Sequence, residues 1–104
     1  MNISEKDWKL FRNDLPNWQE RYMEKLVEEY KEILSDDRNA SDKYWALEAR
    51  LKADKRNPGV LITDISRSNF YDHLVSLVRY KVITMDDLND YSEETKEVVR
   101  RITG

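Results

Sequence analysis

The residue types that catalyse reactions are sparse in this chain, and its single histidine, His73, is the natural candidate for a general base. It follows Asp72 directly and lies three positions before Ser76, so the segment contains the three residue types of a serine-hydrolase triad. Near neighbours on one helix point in different directions and do not converge as a triad requires. We therefore interpret His73 as a histidine at the edge of the core, and we predict no catalytic residue and no enzyme activity.

Carboxylates near the C-terminus could in principle bind a divalent cation. Their spacing lacks the alternating oxygen ligands and the turn glycine of a calcium loop. Most of them fall where helices are predicted to begin, and there a negative charge stabilises the helix dipole. The chain contains no cysteine, so thiolate ligands are excluded as well. We therefore predict neither a metal site nor a cofactor for the cluster Asp86, Asp87, Asp90, Glu93 and Glu94.

One basic patch, formed by Arg50, Lys52, Lys55 and Arg56, could contact phosphates. The segment 69–90 resembles a helix-turn-helix in outline, but its would-be recognition helix carries three aspartates that would repel DNA. The net charge of −3 gives no overall attraction to nucleic acid or to anionic lipid. Nucleic-acid binding through this patch is therefore the alternative function, and solvated surface is the simpler interpretation.

The elements that must position these side chains are dominated by an aromatic stripe in the first third of the chain. Its apolar residues recur at alternating steps of three and four, which places them along one side of a helix. Three Trp, six Tyr and two Phe are more aromatic area than a narrow helical hairpin needs, and Trp and Tyr are typical of binding hot spots. The stripe comprises Trp8, Phe11, Leu15, Trp18, Tyr22, Leu26, Tyr30 and Ile33.

Composition favours an all-α domain spanning 1–104. Charged residues make up 38% of the chain against about 25% in an average protein, so apolar side chains must be concentrated on narrow faces. Two glycines and two prolines suit long helices better than a sandwich with many turns. We predict a long, kinked N-terminal helix packed on a second helix, followed by three shorter C-terminal helices.

Local signals set the expected boundaries in the N-terminal half. Ser4 is a good N-cap, and the helix that follows should kink or break briefly near Pro16 while the stripe keeps its phase. Ser41 is the expected cap of the second helix, which should pack on the first through Tyr44, Trp45, Leu47, Ala49 and Leu51. Asn57, Pro58 and Gly59 should end it.

The C-terminal half begins with the one β-like run, 60–65, which we expect to cover the core as an extended segment or to pair with another copy. A third helix should bury Phe70, Leu74, Leu77 and Val78. Thr84 and Asp87 have the spacing of a capping box for a short helix, and Ser92 should start a last helix. In that last helix Val98, Val99 and Ile102 should point inward.

The segment 73–88 resembles short bacterial helical oligomerisation modules, in which a helix ends, Val/Ile-Thr caps the next turn, and two acids precede an apolar residue. Lys81 stands where that pattern usually has glycine, and the basic continuation after the acids is missing. The whole chain also resembles small uncharacterised open reading frames of Firmicutes. The first resemblance implies self-association, and neither implies an activity. The matching residues are Leu74, Leu77, Val82, Ile83, Thr84, Asp86, Asp87 and Leu88.

The function that these observations favour is a non-enzymatic interaction or regulatory protein that binds a protein partner through helices, with a second copy as the expected partner. No apolar run approaches the length of a membrane span and no signal core is present, so we expect a cytoplasmic protein without membrane contact. A small acidic inhibitor of a nucleic-acid-processing enzyme is a further alternative. The expected interface residues are Trp8, Phe11, Trp18, Tyr22, Tyr30 and Trp45.

Overall fold

The computed structural model describes residues 3–104, and within them every regular element is helical. Four α-helices follow in order: α1 (Glu5–Ser35), α2 (Ala40–Asp54), α3 (Phe70–Arg79) and α4 (Glu93–Thr103). Two short 3₁₀ turns, Arg67–Asn69 and Met85–Leu88, precede α3 and separate it from α4. The predicted all-α class and order of elements are confirmed, and the short helix after Thr84 is a single 3₁₀ turn.

Helix α1 is a 31-residue helix that begins where the sequence predicts. The Ser4 side chain accepts a hydrogen bond from the Asp7 amide at 3.0 Å, as an N-cap does. The helix continues through Pro16 without the short break that we considered. Pro16 and Arg12 are both exposed, so water can satisfy the Arg12 carbonyl that loses its partner to the proline.

The core lies between the first half of α1 and the C-terminal helices. Phe11, Leu15 and Trp18 of α1 meet side chains from α3, the turn after it and α4. Phe11 is fully buried and packs edge-on against Phe70, with ring centroids 5.3 Å apart. The remaining members of this core are Leu74, Leu77, Val82, Ile83, Leu88, Tyr91 and Val99.

Helix α3 ends in a Schellman motif that leaves one residue in a strained conformation. The Val82 amide donates to the Leu77 carbonyl at 2.9 Å, and the Lys81 amide donates to the Val78 carbonyl at 3.0 Å. Lys81, which immediately precedes Val82, has a φ of 62° and therefore lies in the left-handed region. This conformation is the reason that glycine is usual at such a position.

The segment after α2 crosses the face of α1 in an irregular conformation, without a strand in the described residues 60–65. The Gln19 side chain donates to the Pro58 carbonyl at 3.0 Å. A Cβ at position 59 would lie 2.5 Å from the Tyr22 ring, which is closer than van der Waals contact. Glycine, which has no side chain, is therefore needed where the backbone crosses α1. Ile62 packs on the core, whereas Leu61 and Ile65 are exposed, so the segment covers the core through a single large side chain.

The other half of α1 and all of α2 form an antiparallel hairpin, which we define as residues 22–54. All fifteen residues of α2 are described, and none of them is buried. The molecule measures 53 × 24 × 23 Å and its radius of gyration is 16.5 Å, whereas a compact domain of this length has about 13 Å. The hairpin therefore projects from the part that holds the core.

Three details of the prediction are wrong. Helix α2 is capped by Asn39, whose side chain accepts from the Asp42 amide at 3.0 Å, and not by Ser41. Ile102, in the last turn of α4, is exposed, and the buried face of that helix also includes Thr95, whose hydroxyl donates to the Asp7 carboxylate. Arg50 takes an inward position on α2, and most of the predicted apolar face of that helix is exposed: Tyr44, Trp45, Ala49 and Leu51.

Candidate functional site

His73 lies at the edge of the core, where its ring stacks on Phe11 with centroids 6.5 Å apart and planes inclined by 11°. Its Nε2 is 2.6 Å from the backbone carbonyl of Asp64. A carbonyl only accepts, so Nε2 must carry the proton and cannot act as a base. Among the hydrogen bonds of the described residues, none joins His73 to Asp72 or Ser76. His73 therefore packs on Phe11 and bonds the 60–65 segment at Asp64.

Two of the C-terminal acids, Asp87 and Glu93, have structural partners, and Glu93 pairs with Lys96 at 2.8 Å. Asp87 forms a two-point ion pair with Arg21, with both nitrogen–oxygen distances 3.0 Å, and it also accepts from the Thr84 amide at 2.9 Å. Burial acts to raise the pKa of Asp87, but these hydrogen bonds outweigh it and lower the pKa. Within residues 3–104, no three His, Cys, Asp or Glu side chains are placed to hold a metal ion.

The basic patch is divided by the fold. Arg50 turns toward α1, where it bonds the Glu29 carboxylate and lies 5.6 Å from the Tyr30 ring centroid, and it also bonds Asp54 one turn further along α2. Its charge is therefore already paired within the chain. Lys52, Lys55 and Arg56 remain exposed. The patch predicted for phosphate contacts thus loses its first member, Arg50.

The N-terminal aromatic residues belong to the core and not to a free surface. Phe11 and Trp18 are buried, so their burial within this fold accounts for them without a partner. Trp8 is half-buried against Phe70, with ring centroids 6.4 Å apart. The guanidinium groups of Arg12 and Arg67 lie 5.9 and 5.7 Å from its ring centroid. Trp8 thus has packing and cation–π partners within the chain.

Two tyrosines of the stripe hold the hairpin together through polar contacts. Tyr22 Oη accepts from the Asn57 side chain at 2.9 Å, and Tyr30 Oη donates to a carboxylate oxygen of Asp54. Burial and the hydrogen bond to Asp54 raise the pKa of Tyr30 to about 12, so its hydroxyl remains a donor at neutral pH. Together with Arg50, these contacts align 22–30 of α1 beside 50–57.

Helix α2 carries the most exposed aromatic rings of the described chain. Tyr44 and Trp45 are 64% and 63% exposed, and their rings meet edge-on with centroids 4.9 Å apart. Trp45 is therefore the one predicted interface residue that is open to a partner. Of the ten large apolar side chains that are exposed, six belong to the hairpin: Met23, Val27, Leu34, Tyr44, Trp45 and Leu51.

Five of these side chains share one side of the hairpin, which we call the hairpin flank. In α1, Met23, Val27 and Leu34 each follow a stripe residue by one position, a rotation of about 100° away from α2. In α2, Leu51 follows the inward Arg50 in the same way, and Tyr44 lies two turns before it. Because the helices are antiparallel, an equal rotation in each brings these residues to the same side.

Acidic side chains border the flank along α1. Glu20, Glu24 and Glu28 line an open groove of about 550 Å³ whose floor is Met23 and Val27. On the opposite border, along α2, Lys52 and Lys55 are exposed. The flank is thus a largely apolar surface, interrupted in α1 by Lys31, with an acidic rim along α1 and a mixed rim along α2, where Glu48 lies on the same face as Lys52 and Lys55.

The sequence signals for this flank were present but were assigned to the wrong side of α2. An aromatic pair at 44 and 45 cannot lie on one face of a helix, since adjacent side chains diverge by about 100°. The apolar residues at 23, 27 and 34 repeat by four and seven, which is a second stripe beside the first. This second stripe is the sequence signal for the α1 side of the flank.

No protein-family model has a significant match to this chain, and neither does a curated protein or a solved structure. Across residues 3–104, no helix combines the length and the apolar character that crossing a bilayer requires.

Proposed function

We propose that this chain is a non-enzymatic interaction protein whose projecting hairpin binds a protein partner. The single observation that carries the proposal is that α2 buries none of its residues yet carries two aromatic rings that are more than 60% exposed. Isolated helices of about 15 residues are marginal in water, and most helical stability in proteins comes from packing an apolar face. A bound partner would pack against these exposed side chains of α2.

The composition of the surface supports protein as the partner. Trp, Tyr and Met are enriched at protein interfaces, and here they lie together on an elongated projection with charged rims. The alternative of nucleic-acid binding is weakened by the ion pairs of Arg50 with Glu29 and Asp54, which leave a smaller basic patch next to acidic side chains.

A photocrosslinking experiment tests this function. Benzoylphenylalanine replaces Tyr44 on the hairpin or, as the matched control, Tyr80, an exposed tyrosine just after α3. In cells of the source organism, we expect a discrete protein adduct from position 44 and none from position 80. The adduct should disappear when Val27→Asp and Leu51→Asp are added, because charges on the flank oppose apolar contact.

Absence of any adduct at position 44, with the protein folded and expressed, would contradict the proposal. An adduct of equal yield at both positions would show unspecific contact and would contradict it as well. Mass spectrometry of the adduct identifies the partner, which can be this chain or another protein.

A further inference from the structure

We infer that the hairpin flank docks on the flank of a second copy of this chain, in a two-fold dimer whose axis runs parallel to the hairpin helices. This inference rests on the proposed function, since it names the partner that the hairpin takes. In such a dimer α1 of each copy packs against α2 of the other, and the two hairpins form a four-helix bundle.

The apolar side chains of the flank are placed for this arrangement. Contacts between Glu29 and Arg50 and between Tyr22 and Asn57 set the two helices in register, so Val27 lies level with the region of Leu51. Leu34 lies near the connector between α1 and α2, and the same register of the two helices places it level with the region of Tyr44. Rotation about an axis parallel to the helices keeps these levels, and it places Val27 over the copy's Leu51 and Leu34 over the copy's Tyr44.

Charge complementarity selects the second copy as the occupant. The α1 rim of the flank carries Glu24 and Glu28, one residue further round the helix than Met23 and Val27. The α2 rim carries Lys52 and Lys55 and one acid, Glu48, so it is net positive, and in the two-fold arrangement Glu48 lies level with the copy's Lys31. In the two-fold arrangement the acidic rim of each copy lies against the basic rim of the other, as at the e and g positions of a coiled coil.

The same charges exclude the competing two-fold geometry. An axis perpendicular to the helices would place α1 on α1 and α2 on α2, so that each rim would face its own sign. Like charges in register oppose association. Only the axis parallel to the helices places the α1 rim of each copy against the α2 rim of the other.

The rim charges are available for such contacts. Among the ion pairs of residues 3–104, Glu28 joins only the exposed Lys31 one turn away, at 3.0 Å, and none includes Glu24, Lys52 or Lys55. An exposed pair of this kind contributes little, about 0–1 kcal/mol. Exchange of that partner for a lysine of the second copy therefore costs little.

The size of the surface sets the strength that we expect. Helix α2 is about 22 Å long, and two helices side by side are about 20 Å wide, so each copy offers a face near the lower end of specific interfaces. A weak dimer with a Kd on the order of micromolar or above follows. The experiment must therefore span concentrations from about 1 to about 500 µM.

Charge exchange tests the pairing directly. One variant carries Glu24→Lys with Glu28→Lys, and the other carries Lys52→Glu with Lys55→Glu. Each variant alone has like charges on both rims, and we expect its dimer Kd to rise by about tenfold or more. A mixture of the two has complementary charges on both rims, so a heterodimer should form with wild-type affinity. Light scattering after size exclusion measures the homodimers, and sedimentation with one fluorescent variant measures the heterodimer.

Controls separate the pairing from a general charge effect and from unfolding. Lys6→Glu with Lys9→Glu changes the net charge as much as the lysine variant does, but on exposed residues at the other end of α1, and it should leave dimerisation unchanged. Far-UV circular dichroism must show native helix content in every variant, since a variant that loses helix is replaced by the single substitutions Glu24→Lys and Lys52→Glu.

Three results would overturn the inference. A wild-type chain that stays monomeric through about 500 µM would exclude the dimer. A dimer that ignores both charge reversals, or two variants that do not associate when mixed, would exclude this pairing. If the crosslink at position 44 then captures a different protein, the proposed function stands while the self-association fails. If no adduct forms, both fail.

Discussion

At the scale of single residues, Asp7 connects the two ends of the fold. The carboxylate is completely buried, and it accepts hydrogen bonds from the Ser92 amide at 3.0 Å and from the hydroxyls of Ser92 and Thr95 at 2.6 Å each. Burial acts to raise the pKa of Asp7, but these bonds outweigh it and hold the pKa below its ordinary value. A carboxylate at the beginning of α1 thus sits at the N-terminus of α4, where the helix dipole also favours a negative charge.

Replacement of Asp7 by Asn should destabilise the protein by about 1–3 kcal/mol at pH 7, because charge-assisted hydrogen bonds become neutral and an amide nitrogen faces two hydroxyls. The unfolded carboxyl titrates near about 3.9, and the folded one titrates lower. The charge therefore stabilises the fold above that pH, and this stabilisation is lost as pH falls through the folded pKa. Urea unfolding at pH 7 and near pH 3 measures both effects.

The matched control for this prediction is Asp90→Asn, which changes an exposed aspartate between the 3₁₀ turn and α4. It should alter the free energy of unfolding by less than about 0.5 kcal/mol at either pH. A difference between wild type and Asp7→Asn that is as large at low pH as at pH 7 would show that packing, and not charge, carries the effect.

At the scale of elements, the end of α3 shows a conflict between a local preference and the packing around it. The Val82 amide donates to the Leu77 carbonyl in the Schellman motif, and both residues are buried in the core. The chain must therefore turn at residue 81, although that residue is a lysine and not a glycine. The left-handed conformation costs a residue with a Cβ about 1–2 kcal/mol. The core contacts on either side of the turn offset this cost.

Lys81→Gly should therefore stabilise the protein by about 1 kcal/mol. Glycine adopts a φ of 62° without the steric cost of a Cβ, and this gain is partly offset because glycine loses more backbone entropy on folding. In a domain of this size the melting temperature should rise by about 4–8 °C. Thermal unfolding followed by circular dichroism measures the shift. Lys81→Ala removes the same side chain but keeps the Cβ, and it should give no comparable rise. Equal stabilisation by both variants would refute the backbone explanation.

Much of the element plan could be predicted from the sequence because it depends on local signals. The Ser4 and Ser92 caps, the Thr84 and Asp87 spacing, and the stop after α2 at 57–59 are short-range chemistry, and the structure confirms them. The aromatic stripe is confirmed as the inward face of α1, since all eight of its side chains are buried or half-buried.

What could not be predicted depends on contacts between residues far apart in the sequence. Nothing local to Asp7 indicates that it meets Ser92 and Thr95, and its position in the first turn of α1 already had a sufficient explanation in the helix dipole. In the same way, Arg50 looks like a surface cation until Glu29 and Tyr30 are placed beside it. The candidate site was therefore only partly predicted, because Trp45 is the one predicted interface residue that the structure leaves exposed.

At the scale of the whole molecule, the protein consists of a cored part and a hairpin in which Leu26 is the one buried residue. The far half of the hairpin is joined through Arg50, which contacts Glu29, Asp54 and Tyr30. A region with few buried apolar contacts opens at a lower free energy than the core does. The hairpin should therefore open and close while the rest of the molecule stays folded.

Arg50→Ala should make this difference measurable by hydrogen exchange. Loss of the charged contacts should speed amide exchange in α2 by about tenfold or more, whereas amides of α3 should keep their protection. Lys52→Ala, on the same helix but exposed, is the matched control and should change neither. Equal acceleration in α2 and α3 would mean that the two regions unfold together, contrary to the division described here. The experiment should use low protein concentration so that association does not protect α2.

The contact of Asp7 with Ser92 and Thr95 has a consequence for synthesis on the ribosome. These residues are 85 and 88 positions apart, and the core likewise joins Phe11 to Val99. While the nascent chain lacks its last helix, Phe11, Leu15 and Trp18 have only part of their cover. The hairpin, whose helices are adjacent in sequence, can form as soon as 22–57 has left the exit tunnel. We therefore expect the core to form only after α4 has left the exit tunnel, later than the contacts between the two helices of the hairpin.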